Sequence, residues 1–451
     1  MNNAKMSLTT KVMIGMGLGA LVGLIINYSG LNVEGSLVNE YLVKGLFHII
    51  GTMFITALKM LVVPLVFFSL ISGVLGIGNI NTLGKVGMKS FALYMLTTAI
   101  AITVAITIAG FSGIGSGANL HTDASFVAQE APKFSSILIN IVPSNVVEAM
   151  ASGNMLQLIF FSIILGIAIL MVGKKAEPIA KTVEIINEAM MNMVNIIMEV
   201  APYAVFALLA KAISNLGLNL LIDLAGYVLV LIAILLIHLF VTLMGILKIF
   251  TGLSPMVFMK KMRNTQVFGF STSSSNATIP VTLKTVTDKL GVNNSVASFT
   301  VPFGATINMD GTAIMQGVAT VFIANAYGVD LGIMGYLTVI LMSVLASIGT
   351  AGVPGVGLIM LSMVFTQVGL PIEGIGLILG VDRILDMIRT AVNVSGDAAV
   401  SIIVAKSENK FDIDIYNDPD AGIQESHIDE EYEKELESII KNTHNNSTKD
   451  S

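Results

Sequence analysis

Long apolar runs separated by short polar breaks fill the first 250 residues. They fall at about 11–28, 43–76, 86–113, 136–172, 180–214 and 221–250. A bilayer's hydrocarbon core takes about 20 apolar residues of helix, so each run is long enough to span it. Beyond residue 250 the pattern changes. Residues 254–289 are apolar at both ends but hold FSTSSSNATIP in the middle, and GTAGVPGVG interrupts a long run at about 333–370. Each reads as two short half-helices meeting at a tip, a re-entrant hairpin. Non-helical backbone at membrane depth is tolerated only where it is buried in protein or lines a cavity. A full helix with polar residues at mid-depth follows each hairpin. The second half therefore repeats one unit, interrupted hairpin then polar-centred helix. With one hairpin entering from the basic side and the other from the opposite side, the repeat is inverted. Paired interruptions at matching positions point to a transporter's binding site.

The second polar-centred helix carries DRILDMIRTAVNVSGD. Asp382, Asp386, Arg389, Asn393 and Asp397 are spaced 4, 3, 4 and 4 apart, which stacks them on one helical face. Ile384, Leu385, Ile388, Val392 and Ala399 take the opposite face. A charge at the bilayer centre costs roughly 2.5–3.5 kcal/mol on insertion scales, so such residues face a protein interior or a wet cavity. A stripe with both signs of charge can grip a zwitterion or an ion. It can equally be a buried Arg–Asp pair that binds nothing.

Composition agrees with the hydropathy pattern. Hydrophobic residues make up 54% and charged residues 12%, with a mean hydropathy of +0.83. Soluble domains carry about 25% charged residues, so this is a polytopic α-helical membrane protein. The period-two alternation of a membrane barrel is absent. The net charge of −6 divides into −9 over residues 408–451 and +3 over the rest. The end of the chain reads as a separate, weakly ordered acidic segment with a short helix near Asp429–Lys441. The mildly basic body gives no sign of nucleic acid as a partner. There is no Cys, and so no disulfide or thiol chemistry. His48, His121, His238, His427 and His444 are scattered without metal spacing and read as structural or exposed. No Trp is present, so an interfacial aromatic belt rests on Tyr and Phe. Lys5 and Lys11 precede the first run, without a small-residue cleavage site after it, which reads as an uncleaved first helix. Gly15, Gly19 and Gly23 give that helix a small-residue packing face. Lys85, Lys89, Lys174, Lys175, Lys181, Lys248, Lys260, Lys261 and Arg263 fall in alternate loops. Glu34, Glu40, Asp123 and Asp223 mark the others. The positive-inside rule then places the N-terminus in the cytoplasm.

Three further motifs carry chemistry. Ser273-Ser274-Ser275-Asn276 sits between two apolar arms, where half-helix ends leave N–H groups that favour a carboxylate. Asn308-Met309-Asp310-Gly311-Thr312 offers a carboxylate, an amide oxygen and freed carbonyls, a hard-oxygen set that suits Na⁺. Ala351 to Gly357 breaks the helix with Gly and Pro and suits a moving tip.

Taken together, the four motifs resemble the dicarboxylate/amino acid:cation symporter family, the glutamate transporter family, over about residues 8–405. The resemblance implies an all-α polytopic fold of eight transmembrane helices plus two re-entrant hairpins, with inverted repeats and elevator-type motion. It divides the chain into 1–84 (scaffold helices 1–2), 85–113 (helix 3 of a transport domain) and 114–218 (scaffold helices 4–5). Then come 219–405 (helix 6, hairpin 1, helix 7, hairpin 2 and helix 8 of the transport domain) and 406–451 (an acidic cytoplasmic tail). It implies a homotrimer in membrane lipid, in the cell's inner membrane, with both termini cytoplasmic.

The same resemblance assigns roles. Arg389 takes the substrate's side-chain carboxylate and Asp386 accepts from its amino group. Asn393, Thr312, Thr390, Ser274 and Ser275 hold the α-carboxylate and neighbouring atoms, while Val353 and Gly357 belong to the gate. For sodium, Asp397, Asn393, Asn308 and Gly304 form one site. Thr306, Met309, Ser347, Ile348 and Thr350 form a second, and Asp310, Asn308, Tyr94, Thr97 and Thr98 a third. The chain departs from relatives at Ser273 and Met387, where archaeal and animal members respectively carry Arg. Arg383 stands four residues before Met387 and can reach the same region. Gln316 replaces a Glu of proton-coupled animal members, which implies sodium ions alone as the coupling cation. Arg389 and Asp386 together imply an acidic amino acid, L-glutamate or L-aspartate. A proton-coupled or C4-dicarboxylate symporter and an anion channel are the alternatives. An enzyme is disfavoured, because no nucleophile–base or metal motif is present and no His lies near the polar helices.

Overall fold

The computed structural model describes residues 8–75, 83–117, 142–348 and 352–422, with Met6, Ile139 and Thr350. Asp123, His121, Gly349, Ala351 and the helix expected near Asp429–Lys441 lie outside the described residues. The described chain is helical apart from its turns and one isolated bridge. Helices α1 (Leu8–Tyr28), α2 (Val38–Leu75), α3 (Lys85–Ser112) and α4 (Val146–Ser152) come first. Next are α5 (Met155–Val172), α6 (Glu177–Glu199), α7 (Ala201–Leu216) and α8 (Leu218–Ile237), which runs on through a π-wound turn at His238–Leu243 to Thr251. Among the described residues, five helical stretches are long and apolar enough to cross a membrane: Thr10–Tyr28, Val38–Leu75, Lys85–Ser112, Gln157–Glu199 and Leu220–Thr251.

The run at 180–214 is not one straight span. It divides at Val200 into α6 and α7, where Pro202 near the start of α7 removes a backbone donor. The glycine face of α1 packs against α7. A Cβ at Gly15 would stand 2.4 Å from the Pro202 carbonyl oxygen, and one at Gly19 would stand 2.6 Å from that of Phe206. Only glycine permits that approach.

The second half is built from broken elements. Helix α9 (Pro255–Thr272) turns back at Ser273 into α10 (Ser275–Lys284). Ser273 takes left-handed backbone (φ +50°), and the Ser274 side chain accepts from the Ala277 N–H as the N-cap of α10. Helices α11 (Asn294–Ile307) and α12 (Asp310–Ala326) meet at a non-helical Asn308–Met309. Helices α13 (Gly332–Ser347) and α14 (Val356–Val368) form a second hairpin, and α15 (Ile375–Ser407) follows. Helix α15 packs on α9, α11 and α12, and its polar stripe is buried on that side. The core is deepest along α12, where every side chain from Asp310 to Ala324 is buried.

Residues 408–417 correct the reading of the chain's end as loose from its first residue. They form a strap across the ends of the second-half helices. Lys89 of α3 bonds Glu408 at 2.5 Å, and Phe411 bridges to Val292. The short helix α16 (Ile413–Asn417) brings Tyr416, fully buried, against the hairpin. Its hydroxyl donates to the Ser254 carbonyl, and Lys261 Nζ donates to the carbonyls of Lys289 and Ile415, each at 2.7 Å. The sequence pattern missed the strap because its apolar residues, Phe411, Ile413, Ile415 and Tyr416, are spread among five Asp and Glu from 408 to 420.

Candidate functional site

The break between α11 and α12 gathers buried oxygens. Asn308 and Asp310 are both fully buried. Asp310 opens α12, where the helix dipole favours a negative charge. Its Oδ1 accepts from Thr98 Oγ1 at 2.6 Å and from Thr97 Oγ1 at 3.3 Å. Thr97 also reaches Asn308 Oδ1 at 3.3 Å. Tyr94 bonds the Thr300 carbonyl, and a Cβ on Gly304 would strike both its hydroxyl and Asp397 Oδ1. The structure thus brings Tyr94, Thr97, Thr98, Asn308 and Asp310 together.

Asp397 lies beside them on α15. It accepts from Asn308 Nδ2 at 3.0 Å, and Gly304 and Gly396 leave the room for that contact. Asn393, one turn earlier, accepts from the Gly311 N–H at 2.8 Å and donates to Met309 Sδ at 3.3 Å. Asp397, Asn393, Asn308 and Gly304 therefore converge as well. The contacts of Thr306, Met309, Ser347, Ile348 and Thr350 lead to different partners. Ser347 bonds the Ile307 carbonyl, the Ile348 carbonyl faces Gly73 of α2, and Met309 turns to Asn393. Thr306 and Thr350 line a cavity of about 330 Å³ with Ser69, Asn187 and Asn276.

Arg389 is the largest fully buried side chain in the described chain. Its Nη1 donates to Asp382 Oδ1 at 2.7 Å and its Nη2 to Asp386 Oδ1 at 2.8 Å. Arg389 Nε and Asp386 Oδ2 make no hydrogen bond among the described residues. Arg383 Nη1 stands 4.0 Å from Asp386 Oδ2, so it reaches the acidic pair. Gly357 roofs this group. A Cβ there would lie 3.4 Å from Arg389 Nη2 and from Thr312 Cγ2. A side chain at this place would crowd the guanidinium, so glycine lets the hairpin tip pack directly over it. The Thr390 hydroxyl is turned back onto the Asp386 carbonyl. Ser275 is buried at the hairpin tip and Val353 is half-buried. The two tips are joined: Ser274 Oγ and the Asn276 N–H both donate to the Gly352 carbonyl, at 2.7 and 3.1 Å.

Two residues at this centre lack a role in the sequence reading. Asp382 belongs to the stripe, but only the structure shows that it shares Arg389 with Asp386. His238 corrects one expectation, that the His residues stand apart from the polar helices. Its Nε2 is 3.1 Å from Asp310 Oδ2, and the residue is buried. The signal for it in the sequence is an ionisable residue inside the apolar run 221–250, which is functional by default in a membrane helix.

The family model described as the sodium:dicarboxylate symporter family matches residues 8–407, a stretch that contains every residue of this site. The chain belongs to the sodium:dicarboxylate symporter family. It is an integral membrane transporter, not an enzyme. A proton/sodium-glutamate symport protein of Bacillus caldotenax is 35% identical over 90% of this chain and 96% of its own length. A proton/glutamate-aspartate symporter of Escherichia coli (strain K12) is 35% identical over 91% and 95%. A C4-dicarboxylate transport protein of Bacillus subtilis (strain 168) is 31% identical over 90% and 94%.

Proposed function

We propose that the chain is a sodium-coupled symporter that imports an acidic amino acid, L-glutamate or L-aspartate. The observation that carries this reading is the buried Arg389 fork between Asp382 and Asp386. A planar guanidinium suits a carboxylate, and its Nε still has a donor to give. The substrate's side-chain carboxylate takes Arg389 in place of an aspartate, and its amino group is accepted by Asp386. Thr312, Thr390, Asn393 and the tip residues Ser274 and Ser275 hold the remaining atoms. A C4-dicarboxylate has no amino group for Asp386, so succinate is a poor substrate.

Sodium is a co-substrate in this reading. Asp310 and Asp397 are buried carboxylates with few cationic neighbours, and an ion offsets a desolvation cost of several kcal/mol per charge. Hydroxyl, amide and carbonyl oxygens around them are hard donors. Tyr94, Thr97, Thr98, Asn308 and Asp310 hold one ion, and Gly304, Asn308, Asn393 and Asp397 hold another. Met309, Thr306, Ser347, Ile348 and Thr350 draw together for a third when the hairpin tip moves. Asn393 stands one turn from Arg389 and one from Asp397, so it couples solute to cation. The tips are the gate. Separating them breaks the two bonds to Gly352, each worth roughly 0.5–1.5 kcal/mol, which a bound solute can offset.

The transport domain is residues 85–113 with 219–405, and it slides as an elevator against a scaffold of 1–84 with 114–218. The protein is a homotrimer in the inner membrane with cytoplasmic termini, eight transmembrane helices and two re-entrant hairpins. A second reading, coupling to protons, is favoured by the contact of His238 with Asp310. Relatives named for proton symport support the same possibility. Gln316 favours sodium, since its amide cannot carry a proton. Uptake of labelled glutamate and aspartate into proteoliposomes separates the readings. Accumulation under an inward Na⁺ gradient but not under a proton gradient alone is expected, with no competition by succinate. Accumulation driven by protons alone sinks the sodium assignment, and no accumulation under either gradient sinks the symporter reading.

A further inference from the structure

Tyr227 lies on α8 outside every role given so far. It is fully buried, and its ring packs 5.2 Å from that of Phe322 on α12. Its hydroxyl has no hydrogen-bond partner among the described residues. Buried tyrosine hydroxyls ordinarily find one. Helix α8 packs against α15, the helix that carries Asp382 and Arg389. The orphaned donor therefore lies on the helix beside the ion group that the proposed substrate must disturb.

Arg389 presents its donors in one plane. Nη1 is committed to Asp382 and Nη2 to Asp386. A carboxylate that takes the place of Asp382 on Nη1 releases that aspartate. Asp386 keeps a second cation near it, Arg383 at 4.0 Å. Asp382 is 4% exposed and cannot turn to water. A buried carboxylate released without a new donor would cancel much of the gain from binding.

We propose that Tyr227 is a positioning residue for the substrate-loaded state: its hydroxyl donates to Asp382 once the substrate carboxylate has taken that aspartate's place on Arg389. In the closed, self-paired arrangement described here the hydroxyl is idle. On loading, the donor count at Asp382 is restored, and the aspartate is held away from the incoming carboxylate. The phenol lowers the cost of exchanging an internal acid for an external one. This inference rests on the reading of Arg389 as the solute's carboxylate site.

The test is a double-mutant cycle on the full-length protein in detergent with saturating Na⁺, reading L-aspartate and L-glutamate affinity by calorimetry. Tyr227→Phe keeps the ring packing and removes only the orphan. It is expected to weaken binding about tenfold, the value of one hydrogen bond to a charged group. In an Asp382→Asn background, where no displaced charge needs holding, the same change is expected to cost less than about twofold. The substrate-free melting temperature of Tyr227→Phe should equal or exceed that of the wild type, which separates a role in binding from a role in folding. As a second readout, the infrared C–O band of ring-labelled tyrosine should shift on substrate addition in the wild type, and that shift should vanish in Tyr227→Phe. Equal losses in both backgrounds, no loss at all, or no Tyr227-dependent band shift overturns the proposal. A wild type that binds neither amino acid overturns the Arg389 reading and this inference with it, whereas a binding wild type with an unaffected Tyr227→Phe overturns this inference alone.

Discussion

Asp397 shows what a single side chain does in this centre. It is a buried carboxylate whose direct hydrogen-bond donor is the amide of Asn308 at 3.0 Å. An amide offsets part of the cost of burying the charge and a cation offsets more. Asp397→Asn keeps the shape and an oxygen to accept from Asn308 while removing the charge. The variant is therefore expected to melt a few degrees higher than the wild type without Na⁺ and to lose the stabilisation that Na⁺ gives the wild type. A melting curve with and without NaCl reads both. Unchanged Na⁺ stabilisation would remove Asp397 from the cation set. The positions along α15 are legible in the amino-acid sequence, because helical spacing alone puts Asp386, Arg389, Asn393 and Asp397 on one face. The pairings are not. His238 and Asp310 are 72 residues apart, and Thr98 and Asp310 are 212 apart. Which helices stand side by side depends on packing that no local pattern records. The family resemblance points to Tyr94, Thr97 and Thr98, but it carries no partner for Asp382 or His238.

Among the elements, the hairpin around Ser274 links a helix cap to the proposed gate. The Ser274 hydroxyl accepts from Ala277 N–H as a helix cap and donates to the Gly352 carbonyl of the opposite tip. Ser274→Ala removes both at once. A lost cap costs roughly 0.5–2 kcal/mol, and the lost tip contact adds about 1 kcal/mol more. The tips should part more often, and substrate affinity should fall about five- to tenfold, since a gate that opens easily holds its solute less. Binding affinity measured beside the dissociation rate checks this: the rise should lie in the off-rate, and a pure on-rate effect would refute a gate. The strap 408–417 makes a different prediction. Burial pushes the Tyr416 phenol from its ordinary 10.0 up to about 12. A raised folded value means the docked state favours the protonated phenol. Its stabilisation is whole below pH 10 and is lost as the pH rises through about 12. The Lys89 ammonium holds the Glu408 carboxyl below the usual carboxylate range, so that contact persists at neutral pH and fails only in acid. A single cysteine at Val292, buried opposite Phe411 in a chain with no other Cys, should react slowly with a thiol reagent between these limits and fast beyond them, once the rate is corrected for thiol ionisation. A flat rate across alkaline pH would show that Tyr416 does not hold the strap.

At the scale of the whole molecule, the elevator reading asks one chain to supply a fixed body and a moving one. Apolar periodicity shows that the chain crosses a membrane, and the polar interruptions show where its chemistry lies. It cannot show which helices move together, because a lipid-facing surface and a sliding interface are both apolar. The contacts offer a way to ask. Gly15 and Gly19 lock α1 to α7 at backbone distance, a fit that leaves no room to slide. Where α2 meets the second hairpin, a Cβ on Gly73 would stand 3.7 Å from the Ile348 carbonyl, an ordinary van der Waals contact with space to shear. If the elevator reading holds, a cross-link at the second kind of contact stops transport, and a cross-link within one body does not. The native chain has no Cys, so paired cysteines report cleanly. Gly73→Cys with Ile348→Cys, bridged by a short bifunctional thiol reagent, is expected to abolish uptake while leaving Na⁺-dependent substrate binding within a few-fold of the unbridged protein. Ser69→Cys with Asn187→Cys replaces a 2.8 Å hydrogen bond between α2 and α6, both assigned to the scaffold, and should leave uptake intact when bridged. Loss of uptake in both bridged proteins would mean that α2 and α6 move relative to each other, and uptake that survives the Gly73–Ile348 bridge would leave no sliding surface there.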